Sequence, residues 1–113
     1  MYTTTQPQPD PAQFMDQFCS WNAATKANKW QGTNITRWRN DEYDKAYHAS
    51  ETELDPVKRA ALFIKMNDLV IGDVVVIPVV YRPNVRGIAS KLQVTLSGWD
   101  NDMYLVSDWY REA

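Results

Sequence analysis

Between Asn34 and Arg82 the chain sets out an ordered series of start and stop signals that leaves few folds open. Asn40 precedes an aromatic-acidic stretch, DEYDKAYHAS, and its side chain can accept from the free N–H groups of a helix start. Tyr43, Ala46, Tyr47 and Ser50 fall on one face of that helix. Asp41, Glu42 and Asp44 crowd its first turn, where the helix dipole favours negative charge. Asp55-Pro56 then repeats the start signal, with proline at the first helical position. Leu62, Met66 and Leu69 make an apolar stripe that Phe63 and Val70 widen, while Lys58, Arg59 and Lys65 keep to the wet side. Gly72 is the expected stop for this helix. Val74–Tyr81 follows, β-branched almost throughout. Its lack of alternation predicts a strand covered on both faces, and Pro78 makes it an edge strand or a bulged one.

The flanks extend this pattern. YTTTQ at 2–6 is β-prone, and Pro7 and Pro9 end any regular pairing. Asp10-Pro11 starts a helix whose apolar face is Pro11, Phe14, Met15 and Phe18, predicted to run to about Trp21–Ala24. Thr25–Arg39 is polar and broken by Gly32, and it carries Trp30 and Trp38 in a loop. Val85–Ile88 and Leu92–Leu96 are candidate short strands, Ser97–Asn101 is a turn, and the tail is open between strand and helix. The expected architecture is α+β in a single domain, 1–113. About three helices pack on a small mixed sheet made by the N-terminal segment, Val74–Tyr81 and the tail.

Several function classes are disfavoured at once. A net charge of −2 argues against nucleic acid, whose phosphates need a basic surface. The longest apolar run is far short of a membrane span. The first residues have neither the basic nor the apolar region of a signal peptide. Cys19 is single, so it has no intrachain partner, and it reads as a buried thiol. With His48 it makes a poor nucleophile–base pair, and the two supply too few ligands for zinc. Asp41, Glu42 and Asp44, and again Glu51, Glu53 and Asp55, read as helix caps and solvated faces rather than as an acid–base pair. DNDM at 100–103 lacks the glycine and distal glutamate of a calcium loop. No phosphate-binding glycine loop or serine elbow is present. The chain is expected to have no catalytic residues, no cofactor and no metal site.

The tryptophans hold the most chemical interest. Trp21, Trp30 and Trp38 lie in or beside one polar loop. Such loops either cover a core or meet a ligand. Trp38 sits between Arg37 and Arg39, where stacking or anion pairing is open to it. An aromatic surface of this kind also fits a small protein–protein interaction module, the alternative to ligand capture. A hydrolase built on the acidic clusters is the remaining rival.

The order of these signals resembles the C-terminal lobe of the extracellular solute-binding proteins of peptide- and nickel-type ABC importers. The matching residues are Asp10-Pro11 with Phe14-Met15; Asn34, Arg39-Asn40 and Glu42-Tyr43-Asp44; Asp55, Arg59 and Leu62; and Ile77-Pro78-Val79. The likeness covers about residues 9–96. It implies part of a type II periplasmic-binding-protein-like lobe belonging to a larger two-lobed receptor, and not an enzyme. The receptor would work in the periplasm, or outside the cell at the membrane. It would close on a peptide or other small solute and pass it to a membrane permease. Its partners would be that ligand, the permease and the N-terminal lobe of the parent chain, with Met1 as an internal start or the start of an excised piece. In such receptors Asp44, Asp55 and Arg59 would cap and tie helices. Peptide binders hold the ligand's amino terminus with an acidic residue just before the Asp-Pro helix. Here Gln6-Pro7-Gln8-Pro9 stands in its place, which counts against a free-amine peptide ligand. The implied contacts are Gln6, Gln8, Trp21 and Trp38.

Overall fold

In the computed structural model the described residues are 8–80, 83, 85–98 and 103–112. Three α-helices and a two-stranded antiparallel sheet make up a small α+β fold: α1 (Ala12–Asp16), α2 (Asp41–Thr52), α3 (Pro56–Gly72), β1 (Leu92–Gln93) and β2 (Tyr110–Arg111), with single 3-10 turns at Ser20–Asn22 and Val106–Asp108. The chain divides into two compact units. Asp10–Pro78 holds the helices, and Met1–Pro9 with Val79–Ala113 forms the other.

In the helical unit α2 and α3 form the frame. Asn40 caps α2 by accepting from the Glu42 and Tyr43 N–H groups, and Asp55 caps α3 by accepting from Val57 and Lys58. Each such cap stabilises a helix by about 1 kcal/mol. The buried cluster is Phe18, Cys19, Tyr43, Ala46, Tyr47, Phe63, Met66 and Val70. Leu62 and Leu69 pack at its margin. The helical spacing of apolar residues thus gave the inward faces of both helices correctly. Arg59 is the exception on α3. It turns back from the solvent side, and its guanidinium donates to both Asp10 carboxylate oxygens at 2.8 and 3.1 Å.

The first helix is shorter than its apolar spacing predicts. It ends at Asp16 because the Asn22 side chain donates to the Asp16 carbonyl at 2.9 Å and to its carboxylate at 2.8 Å. Cys19 then turns extended and Ser20–Asn22 coils as a 3-10 turn. Phe18 still reaches the core, edge-on to Phe14 and Tyr43.

The stop signal of α3 is also displaced. Gly72 is the last helical residue, and the left-handed position falls on Val74, with φ 53°. Val75 N–H bonds the Val70 carbonyl and Val74 N–H bonds that of Ile71, which is the Schellman closure. A β-branched residue there is strained.

Val74–Val80 does not form the predicted strand. Among the described residues it joins no ladder. Val75 and Val76 pack against the core, while Ile77, Val79 and Val80 are about three-quarters exposed. Pro78 lacks an N–H, and no neighbouring strand is present among those residues to bond the rest. Val85–Ile88 is likewise without strand pairing. Among the described residues the second unit's sheet is β1 with β2, in the register Leu92 to Arg111 and Gln93 to Tyr110. The tail supplies both a 3-10 turn and a strand. The expected N-terminal strand at 2–6 lies outside the described residues.

Candidate functional site

The loop leading into α2 is organised by Asn34, which is 1% exposed. Its amide nitrogen donates to the carbonyls of Phe18, Cys19 and Trp38 at 3.2, 3.1 and 2.9 Å, and its oxygen accepts from the Thr36 hydroxyl at 2.8 Å. One side chain therefore satisfies backbone groups from both ends of the loop, in a place where an unpaired carbonyl would be costly. Beside it Ala23 and Asn34 form a parallel bridge. Gly32 passes so close that a Cβ there would lie 2.3 Å from the Asn22 carbonyl oxygen.

Three other residues of the pattern are also struts. Asp44 accepts from the Ser20 N–H at 3.0 Å, tying α2 to the 3-10 turn. Asp55 caps α3. Arg59, besides gripping Asp10, donates from Nε to the Ser50 carbonyl at 3.0 Å. The grip, with the Ala12 N–H, holds the Asp10 carboxyl below its ordinary range. The same pairing raises the Arg59 guanidinium.

Of the proposed ligand contacts, Trp21 and Trp38 lie in the helical unit. Gln6 lies outside the described residues, and Gln8 is exposed. Trp38 is half-buried. It stands edge-on to Tyr43 at 5.2 Å and spends its indole N–H on the Asp73 carboxylate at 3.0 Å. Trp21 is 45% exposed. It stacks on His48 at 4.6 Å with the planes 20° apart, and meets Tyr47 edge-on at 5.7 Å. His48 Nδ1 lies 3.1 Å from Glu51 Oε2. Trp21 and Trp38 thus sit against aromatic residues one turn apart on α2 and share no ring contact. The group assembled around Trp21 is Trp21, Tyr47, His48 and Glu51. Sequence reasoning did not assign His48 and Glu51 to it, although their three-residue spacing on α2 was a usable signal.

This group presents an aromatic plate, an imidazole and a carboxylate at the surface. It can stack against a flat or apolar group and offer hydrogen bonds at the rim. A nucleophilic role for Cys19 has no support in the geometry. The thiol is fully buried, burial pushes it up, and the nearby Asp16, Asp44 and Glu51 charges add to that. Burial likewise pushes the Tyr47 hydroxyl up to about 12. The acidic clusters are engaged in local bonds. Glu42 pairs with Lys65 at 2.7 Å, and Glu53 accepts from the Asp55 N–H at 2.9 Å. Among the described residues no group of His, Cys, Asp and Glu could hold a metal ion, and no helix is long and apolar enough to cross a membrane. No protein-family model, curated protein or solved structure matches this chain.

Proposed function

We propose that this chain is part of the C-terminal lobe of a two-lobed solute-binding receptor, of the kind that feeds an ABC importer. The observation that carries the reading is the run Val74–Val80. It is an apolar segment of strand composition with Pro78 at its centre, and it bonds to no other strand among the described residues. A surface of that composition is at rest only when other chain covers it. The struts Asp44, Asp55 and Arg59 support the same reading, because they hold the positions that the resemblance reserves for structure. In the whole receptor the Trp21 group would form part of one wall of the cleft, and hinge closure would bring the opposite wall to a peptide or other small solute.

The test begins with the reading frame upstream of Met1, which should continue through a first lobe to a signal peptide. The whole receptor and this chain are then titrated calorimetrically with a library of short peptides. This chain should bind at least tenfold more weakly, a difference of about 1.4 kcal/mol. Equal affinities, or a stop codon directly upstream, would refute the reading.

A second reading, an interaction module, is favoured by α3. Val57, Ile64 and Ile71 recur every seven residues on its exposed side. A concentration-dependent dimer in sedimentation equilibrium that Ile64→Glu abolishes would support it.

A further inference from the structure

The loop between the 3-10 turn at Ser20–Asn22 and α2 has a charge of one sign. Lys26, Lys29, Arg37 and Arg39 fall between Thr25 and Asn40, and all fourteen carboxylate side chains of the chain lie outside that stretch. The ion pairs among the described residues join His48 to Glu51, Arg59 to Asp10 and Lys65 to Glu42, so none involves the loop. Arg37 instead sets its guanidinium 5.6 Å from the centre of the Trp30 ring. Trp30 is 60% exposed and Ile35 is 48% exposed.

The backbone is committed to this display. Lys29, Trp30 and Arg37 have φ of 56°, 64° and 58°, the left-handed region that bulky side chains avoid. Local bonds hold them there. Trp30 N–H donates to the Thr25 carbonyl at 2.7 Å. The Asn28 side chain accepts from Thr25 N–H and donates to the Ala23 carbonyl. Asn34 and Gly32 pin the return strand of the loop. Strain of this kind persists only where surrounding bonds over-determine it, and it gathers at functional surfaces.

We propose that the loop Lys26–Arg39 is a peripheral docking surface for an anionic lipid bilayer. The four cations suit lipid phosphates, and the indole is the side chain that settles best at the boundary between headgroup and acyl chain. The Arg37–Trp30 pair places the two chemistries side by side, as an interface that changes from phosphate to hydrocarbon requires. A flat surface can meet one loop alone. An extended nucleic acid would run on past the loop against a chain whose net charge is −2. An acidic protein partner would need a socket for Trp30. The inference stands independently of the receptor reading.

The experiment is co-sedimentation of the full chain with sucrose-loaded vesicles, either pure phosphatidylcholine or phosphatidylcholine with 40% phosphatidylglycerol. Binding is expected to the anionic vesicles only, and 0.5 M NaCl should release it. Each cation removed should weaken it about fivefold. The pair Lys26→Glu with Lys29→Asn should therefore weaken it at least twentyfold. Trp30→Asn keeps a residue that tolerates the left-handed backbone, and should weaken binding severalfold. Circular dichroism of each variant confirms that the fold is kept. Four results would overturn the proposal: no binding to anionic vesicles, equal binding to neutral ones, no effect of the Lys26/Lys29 pair, or tighter capture by soluble polyglutamate or poly-dT than by the vesicles.

Discussion

Exchanging the residue types at the end of α3 gives a test in which two models of the helix terminus predict opposite signs. In the structure Gly72 is helical, Val74 is the left-handed closing residue at φ 53°, and a Cβ placed on Gly72 would meet nothing within 4 Å. Gly72→Ala should therefore stabilise the protein by about 0.5–1 kcal/mol, the ordinary penalty for glycine within a helix. Val74→Gly removes a left-handed penalty of about 1–2 kcal/mol. It also gives up the buried third of a side chain that is 62% exposed, worth about 0.5 kcal/mol. The added freedom of glycine in the unfolded chain offsets about 0.4–1 kcal/mol more, so the net gain is at most about 1 kcal/mol. If the helix instead stopped at Gly72 in the left-handed conformation, Gly72→Ala would cost about 1–2 kcal/mol. Urea unfolding followed by far-ultraviolet circular dichroism separates the two cases, provided the slope of each transition is unchanged. A lowered midpoint for Gly72→Ala would refute the closure described here. The double variant need not be additive, because both residues belong to one cap.

Three further outcomes are expected. Asn34→Ala should destabilise the fold by about 2–3 kcal/mol, because it leaves the carbonyls of Phe18 and Trp38 without their donor and takes one of two donors from that of Cys19, which keeps the Asn22 N–H; a loss under 1 kcal/mol in urea would contradict the role given to that amide. Ser20→Ala should be neutral or stabilising by up to about 1 kcal/mol, since Ser20 Oγ is buried with no hydrogen-bond partner among the described residues; a clear loss in thermal midpoint would show that the hydroxyl is used. Asp10 has a lowered pKa when folded, so its pairing with Arg59 stabilises fully above the unfolded aspartate value of about 4 and drains away as pH falls through the folded value. Asp10→Asn should therefore cost about 1 kcal/mol at pH 7, discounted for the half-open site, and it should flatten the loss of stability below pH 4; an unchanged acid limb would contradict this.

The parts of the fold set by neighbouring residues were legible in the sequence. Asn40 and Asp55 announce α2 and α3 because a cap needs only its own side chain and the next three N–H groups. Tyr43, Tyr47, Met66 and Val70 announce the core because helical spacing decides which residues face together. What was not legible depends on distant partners. The end of α1 is set by Asn22, whose amide competes for the last carbonyl. The run Val74–Val80 has strand composition, yet pairing requires a second strand that composition cannot supply. Gly72 looks like a helix stop, but the closure lies two residues further on. At the candidate site Trp21, expected as a ligand contact, is 45% exposed and stacks on His48. Its companions His48 and Glu51 come from α2, and Trp38 proves to be anchored to Asp73 by its own N–H.

The Asp10–Arg59 grip has a consequence for the time course of folding. It joins residues 49 apart in the sequence, whereas α2 and α3 are joined by only Glu53–Asp55. Closing the short connection costs little chain entropy, and closing the long one costs more. The α2–α3 hairpin is thus the natural nucleus, and the Asp10 segment docks on it afterwards. Removing the grip would then leave the folding rate nearly unchanged and speed unfolding. Asp10 would act as a latch on the native state, setting how long the assembled helices last rather than how quickly they form.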